Sequence, residues 1–132
     1  MEVLSFRTSE REQLLDVTDE LVRGIGRAGV EEGWCLLFSP HTTCAVTVNE
    51  GWDPAVASDM IRHLGSLIPE RGAWEHAEGN SDAHLKTALV GPSVLVPVTG
   101  GELRLGRWQR VFLCEFDGPR DRNLWITAQG AS

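Results

Sequence analysis

A chain of 132 residues, 42% hydrophobic and 23% charged, can bury an ordinary single core, and its composition excludes a disordered segment. Its net charge of −7 excludes nucleic acid and anionic lipid as main partners, because both require a basic face. Charged residues (Glu2, Arg7, Glu10, Arg11) follow Met1 at once and no apolar run reaches transmembrane length. We therefore expect a cytoplasmic protein with no targeting segment and no membrane partner. The positive charge is almost all arginine, and Lys86 is the single lysine. Cys35, Cys44 and Cys114 form an odd set without a Cys-x-x-Cys pair, as expected of buried free thiols in a reducing compartment.

Val3 to Arg7 predicts a first strand. Ser9-Glu10-Arg11-Glu12 has capping-box form, and Leu14, Leu15, Leu21, Val22 and Ile25 follow at helical spacing, with Gly29 as the stop. Trp34 to Phe38 is the apolar run of a buried strand broken by Pro40. Cys44 to Val48 is expected as its hairpin partner, with Ser39 to Thr43 as the connection. Asp53-Pro54 starts a second helix with an N-cap and a proline in the first turn. Val56, Met60, Ile61 and Leu64 form its inward face, His63 lies at its surface, and Pro69 follows its end. Glu70 to Gly79 reads as an ordered loop. Asn80 or Ser81 caps a third helix in which Leu85 and Leu89 pack one turn apart, and Gly91 ends it. The strands Ser93 to Val98, Arg107 to Phe116 and Arg122 to Ala128 complete the chain, with Thr99-Gly100-Gly101 as a turn before Glu102 to Leu105. Nothing resembles a linker or repeat, so residues 1–132 read as one domain. Helices separated by hairpins predict an α+β fold, a mostly antiparallel sheet packed with about three helices.

The densest polar stretch runs from His76 to Lys86. His76 and Glu78, two residues apart, face the same way in an extended segment, and a fold back across Gly79 brings His84 beside them. His41, in the Ser39–Thr43 connection, is the natural further nitrogen, and Cys44 is close enough to share its site. Three imidazoles with an open position describe a catalytic zinc-type site. The spacing matches no standard local motif, and the alternative is that these rings hydrogen-bond within polar loops. Asn80-Ser81-Asp82 offers unpaired helix N–H groups to an anion, which Lys86 can reach unless it pairs with Asp82. Asn49-Glu50 and Asp53 add oxygens suited to a divalent cation, although Asp53 already serves as an N-cap. Arg120, after the Asp117-Gly118 turn, can grip a phosphate or pair with Asp117 or Asp121. Trp108 and Gln109 offer a stacking face and an amide, or Trp108 belongs to the core. No Walker-type or dinucleotide-type glycine loop is present, which argues against a P-loop NTPase or a Rossmann enzyme.

Taken together, several blocks resemble one family. They are Ser39-Pro40-His41-Thr42-Thr43-x-Ala45, Asn49-Glu50 with Asp53-Pro54, and His76-x-Glu78-Gly79-Asn80-Ser81-Asp82-Ala83-His84-Leu85-Lys86. Gly91-Pro92-Ser93, Leu105-Gly106-x-Trp108-Gln109 and Glu115-Phe116-Asp117-Gly118-Pro119-Arg120 complete the set. The pattern is similar to the YjbQ-like proteins, the secondary thiamine-phosphate synthase family, from the first helix to Arg120. Cys44 stands where that family usually has an aliphatic residue or alanine. The resemblance implies a compact α+β homotrimer with sites near subunit boundaries. It also implies an accessory transferase activity that joins a pyrimidine methyl diphosphate to a thiazole phosphate and releases pyrophosphate. On this reading His41, Glu78, His84 and Lys86 are catalytic, and His41, His76 and His84 hold a divalent metal, zinc or magnesium, with no organic cofactor. Thr42, Thr43, Asn49, Asn80, Ser81, Asp82, Trp108, Gln109, Glu115 and Arg120 contact a small phosphorylated metabolite. A metal-dependent hydrolase and a non-catalytic metabolite-binding trimer are the competing readings.

Overall fold

The computed structural model describes residues 1–131. The elements in chain order are β1 (Glu2–Arg7), β2 (Gln13–Asp16), α1 (Thr18–Ala28), β3 (Glu32–Phe38), β4 (Cys44–Glu50), α2 (Pro54–Leu67), α3 (Ser81–Val90), β5 (Ser93–Thr99), β6 (Glu102–Leu103), β7 (Gln109–Glu115) and β8 (Asp121–Gly130). All strand pairs are antiparallel. They form a five-stranded sheet in the order β1-β8-β3-β5-β6 and a three-stranded sheet in the order β2-β7-β4. This is the α+β architecture that the separated helices and hairpins predict.

Side-chain alternation explains the layering. Cys35, Leu37, Val96, Val98, Leu124 and Ile126 of the larger sheet meet Cys44, Val46, Val111 and Leu113 of the smaller one, with Leu21 and Ile25 of α1 in the same core. The intervening residues of the smaller sheet, Ala45, Phe112 and Cys114, point the other way. With Phe116 they pack against Ala83 of α3, Leu64 of α2 and Leu14. The smaller sheet is therefore a middle layer covered on both faces, which is why β4 and β7 are continuous apolar runs. The three cysteines are free and buried, and burial pushes the Cys35 and Cys44 thiols up to about 12.

Three expectations are corrected. Leu14 and Leu15 do not begin a helix. They lie in β2 opposite Cys114 and Leu113, and they face the two different cores, as neighbours in a strand must. The Ser9 amide donates to the Gln13 side chain (2.9 Å), and the helix starts only at Thr18. Secondly, β3 and β4 do not form a hairpin: β3 lies between β5 and β8, and β4 pairs with β7. Residues 39–43 instead cross from one sheet to the other, anchored by Ser39 Oγ donating to the Cys44 carbonyl (2.7 Å) and by the Ser39 amide donating to the Pro92 carbonyl (2.7 Å). His41 lies on this crossover. Thirdly, Leu85 and Leu89 do not pack inward. They are 44% and 59% exposed, and the buried face of α3 is Asp82, Ala83, Lys86 and Thr87.

Other boundaries follow local chemistry. Asp53 accepts from the Ala55 amide (2.9 Å) and Pro54 opens α2, as its residues predict. Gly29 ends α1 in the left-handed conformation, φ 69°. Gly100 and Gly101, both at positive φ, turn β5 into β6.

Candidate functional site

The crossover bearing His41 runs beside the C-terminal end of β7 and the start of β8. Arg122 opens the inward-facing series Arg122, Leu124, Ile126, so strand alternation drives its guanidinium into the interior. There it meets Glu115. Arg122 Nε donates to Glu115 Oε1 (2.8 Å), and Nη2 donates to Oε2 in a second bond. Thr8 Oγ1 also donates to Oε1 (2.7 Å), and the Asp117 amide donates to Oε2 (3.1 Å). Burial works to raise the Glu115 pKa, but the bonds from Arg122, Thr8 and Asp117 hold the carboxyl below the usual carboxylate range. Arg122 Nη2 also donates to the carbonyl (3.2 Å) and Oγ1 (2.8 Å) of Thr43. The pair thus clamps the crossover to both sheets.

His41 sits half-buried above this clamp. Its Nε2 accepts from the Asn123 amide (2.8 Å), whereas its Nδ1 has no partner among the described residues. Burial, with the positive charges of Arg122 and Arg120, moves its pKa below the ordinary histidine value.

Asp117 joins the next two groups. Its carboxylate accepts from Asn80 Nδ2 (2.9 Å) and from Arg120 Nη2 (3.1 Å), while Arg120 Nε donates to the Asp117 carbonyl (2.8 Å). The first turn of α3 and the half-exposed Arg120 guanidinium are therefore tied to one carboxylate. Asn80 is the helix N-cap by position only: its side chain makes no capping bond, and its Oδ1 is buried without a partner. Gly118 permits the close turn, since a Cβ there would lie 2.3 Å from the Glu10 carbonyl oxygen.

The polar stretch of α3 divides in two. Lys86, expected either to reach an anion or to pair with Asp82, does the latter: its side chain is only 1% exposed, and its Nζ donates to Asp82 Oδ2 and Glu12 Oε1, both at 2.9 Å. Arg11 adds Nη2 to Asp82 Oδ1 (3.0 Å), Nη1 to Glu12 (3.3 Å) and Nε to Glu70 (3.2 Å). Lys86 and Asp82 are thus sealed into a network that fastens α3 to the segment before β2, and neither is placed to touch a ligand. His76 and His84 lie on the outer side, rings edge to face with centroids 5.3 Å apart, in a cleft of about 360 Å³ with Trp74, Ser81 and Leu85. Glu78 Oε2 is 3.6 Å from His76 Nε2.

The expected metal set of His41, His76 and His84 is not assembled within one chain. Among the described residues no three His, Cys, Asp or Glu side chains are grouped to hold a metal ion. His41 does not fit the role on chemical grounds either. The Asn123 N–H consumes its Nε2 lone pair, so the neutral ring carries its proton on Nδ1 and has no lone pair left for a metal.

Asn49, Trp108 and Gln109 also lie apart from this cluster. Gln109 opens β7 and Glu115 closes it, so about 20 Å of strand separates the two ends. Trp108 packs edge to face on the exposed Trp52 (centroids 5.3 Å apart) beneath the Arg107 guanidinium (4.7 Å). Gln109 Oε1 accepts from the Gly106 amide (2.7 Å), and Asn49 Oδ1 accepts from the Glu50 amide (2.7 Å). The residues that sequence reasoning missed are Arg122, Thr8 and Arg11. The signal for Arg122 was present, because an arginine in phase with Leu124 and Ile126 must bury its charge and needs a carboxylate.

Comparison with known proteins agrees with the fold. Residues 2–131 match the family described as "UPF0047 protein YjbQ-like". UPF0047 protein YugU of Bacillus subtilis is 40% identical over 131 residues, covering 98% of this chain and 99% of the relative. A UPF0047 protein of Methanocaldococcus jannaschii is 42% identical over 124 residues, covering 94% and 90%. A crystal structure of a YjbQ/UPF0047 family protein from Clostridium acetobutylicum superimposes with TM-score 0.96 at 38% identity, covering 98% of this chain and 100% of that one. A conserved hypothetical protein from Thermus thermophilus gives TM-score 0.91 at 43% identity, covering 98% and 100%. The chain therefore belongs to the YjbQ-like UPF0047 family.

Proposed function

We propose that the end of the molecule formed by the 39–43 crossover, the β7–β8 connection and the first turn of α3 binds a small phosphorylated metabolite. We propose further that it supports a transfer of the thiamine phosphate synthase type. One observation carries this reading: Asp117 holds Arg120 beside the start of α3, so a half-exposed guanidinium and a helix N-terminus meet at one place. Asp117 occupies two donors of Arg120, and the guanidinium keeps others for a phosphate. The buried Arg122–Glu115 clamp keeps the surrounding backbone rigid, which is what lets such donors act without reorganising.

In this reaction the thiazole ring nitrogen attacks the exocyclic methylene of the pyrimidine. Its lone pair forms the C–N bond while the C–O bond to the diphosphate breaks, and that electron pair leaves on pyrophosphate. No proton need be removed from either substrate, so a site without a poised general base is adequate. The main demand is stabilising the charge that grows on the leaving group, and donors aimed at phosphate oxygens meet it. A hydrolase would need a group to activate water; Lys86 is sealed and Glu115 engaged, which leaves His76, Glu78 and His84 of the neighbouring cleft to serve that competing reading.

The test is incubation with a pyrimidine methyl diphosphate and a thiazole phosphate, following pyrophosphate release and the mass of the joined product. Both should appear, and Arg120→Met should lower the rate about 10-fold or more through loss of a charged hydrogen bond. Binding of either substrate without turnover assigns the protein to the binding modules. Phosphate release without joining assigns it to the hydrolases.

A further inference from the structure

We infer that His41 is a neutral imidazole locked in one tautomer, which donates a hydrogen bond from Nδ1 to an oxygen of an anionic ligand beside Arg120. The starting point is the partner of Nε2. A backbone N–H can only donate, so the Nε2 it faces at 2.8 Å must present a lone pair. The single proton of the neutral ring then resides on Nδ1. That nitrogen has no partner among the described residues and is not sealed from solvent, so it is an unused donor.

The surroundings fix this state. Asn123 lies in β8, whose pairing with β1 holds the amide direction, and Ser5 Oγ donates to the Asn123 side chain (3.0 Å), so the residue is held on both sides. The crossover on which His41 rides is held by Ser39 and Thr43. The charges facing the ring favour its neutral form: Arg120 and Arg122 repel a second proton, and the Glu115 carboxylate is already spent on Arg122. The ring is thus a poor general base, because taking a proton requires breaking the Asn123 bond. It is equally unfit as a metal ligand. What remains is donation, from a rigid, uncharged N–H in the field of the Arg122 and Arg120 charges, with the exposed Thr42 next to it on the same crossover. A ligand with two or more oxygens on one centre, such as a phosphoryl group, matches this arrangement. The inference deepens the phosphometabolite reading and rests on it for the ligand class, while the tautomer stands independently of it.

The experiment is imidazole ¹⁵N–¹H correlation spectroscopy on the full chain, with the His41 signals assigned by their loss in His41→Asn. We expect Nε2 to resonate as an unprotonated nitrogen and Nδ1 as a protonated one, and both to move when inorganic phosphate is added. His41→Gln, which places its amide near the Nε2 position and has nothing at Nδ1, should weaken phosphate binding about 10-fold or more. His41→Asn, whose amide can donate from near the Nδ1 position, should recover most of that loss. Added zinc chloride should leave the His41 nitrogens where they are. A protonated Nε2, a tautomer mixture, zinc-induced shifts of His41, or nitrogens indifferent to phosphate would each overturn the inference. Phosphate-responsive His41 signals in a protein that joins no substrates leave the inference standing and remove the transferase. Turnover with phosphate affinity unchanged in His41→Gln does the reverse.

Discussion

Glu115 and Asp82 are carboxylates buried completely in a protein that has surface to spare for its excess negative charge. Burial works against each charge, yet Arg122 and Thr8 hold the Glu115 carboxyl, and Arg11 and Lys86 the Asp82 carboxyl, below the ordinary range. The sign of the linkage follows. A depressed folded pKa stabilises the fold fully above the ordinary values of 4.5 and 3.8, and this is lost as the pH falls through the lower folded values. Urea unfolding should therefore show a first loss as the pH falls below about 6.5, where unfolded His41 takes a proton that the folded ring resists, and a further decline below about pH 5 from the two carboxylates. Glu115→Gln should cost about 3–5 kcal/mol at neutral pH, because Arg122 is then buried opposite a neutral group. The same variant should flatten the acid decline. An acid decline as steep as in the parent chain would mean that other carboxylates carry it.

At the scale of the element, α3 inverts the usual amphipathic rule. Its inward face is Asp82, Ala83, Lys86 and Thr87, and its leucines face out. This is stable only because Lys86, Asp82, Arg11 and Glu12 satisfy one another. Lys86→Met, which keeps the aliphatic stem but deletes the cation, should cost about 3–5 kcal/mol by denaturant unfolding. Amides of Ser81 to Val90 should exchange faster with solvent in that variant. A loss below about 1 kcal/mol would show that Arg11 alone neutralises the two carboxylates. The same inversion explains what sequence reading could not reach. Local signals were sufficient for Asp53-Pro54, for the glycine stops at Gly29 and Gly91, and for most strand positions, since capping and alternation act over a few residues. They misplaced Leu14 and Leu15, and they joined β3 to β4, because strand pairing is decided by contacts distant in sequence. Of the site, His41, Asn80 and Arg120 were legible as polar groups beside turns. The pairing of Lys86 with Asp82 was legible from their four-residue spacing, but its burial was not, because Glu12, its second partner, is 74 residues away. Trp108 and Gln109 were grouped with Glu115 although a whole strand separates them.

The molecule as a whole leaves an apolar face uncovered. On the outer side of the larger sheet Leu36 lies opposite Leu95, and Phe38 opposite Trp125, with the Phe38 and Trp125 rings stacked at 5.8 Å. Met1, Leu36, Phe38, Trp125 and Thr127 enclose a shallow pocket of about 270 Å³ there. Apolar residues scattered singly need no explanation, but a continuous patch on a sheet face does. We propose that this face is buried in the homotrimer that the family resemblance implies. Copies each carrying a charge of −7 repel, so apolar burial has to drive the association. Light scattering at micromolar concentration should give three times the mass of the chain. Leu95, 64% exposed, contributes little to the core of a single copy. Leu95→Glu should therefore yield a monomer with an unchanged far-ultraviolet circular dichroism spectrum, since the new carboxylate would be desolvated only on assembly. A parent chain that is already monomeric would remove the trimer. A trimer that survives Leu95→Glu would transfer the interface elsewhere, and the outward Leu85 and Leu89 of α3 would be the next surface to change.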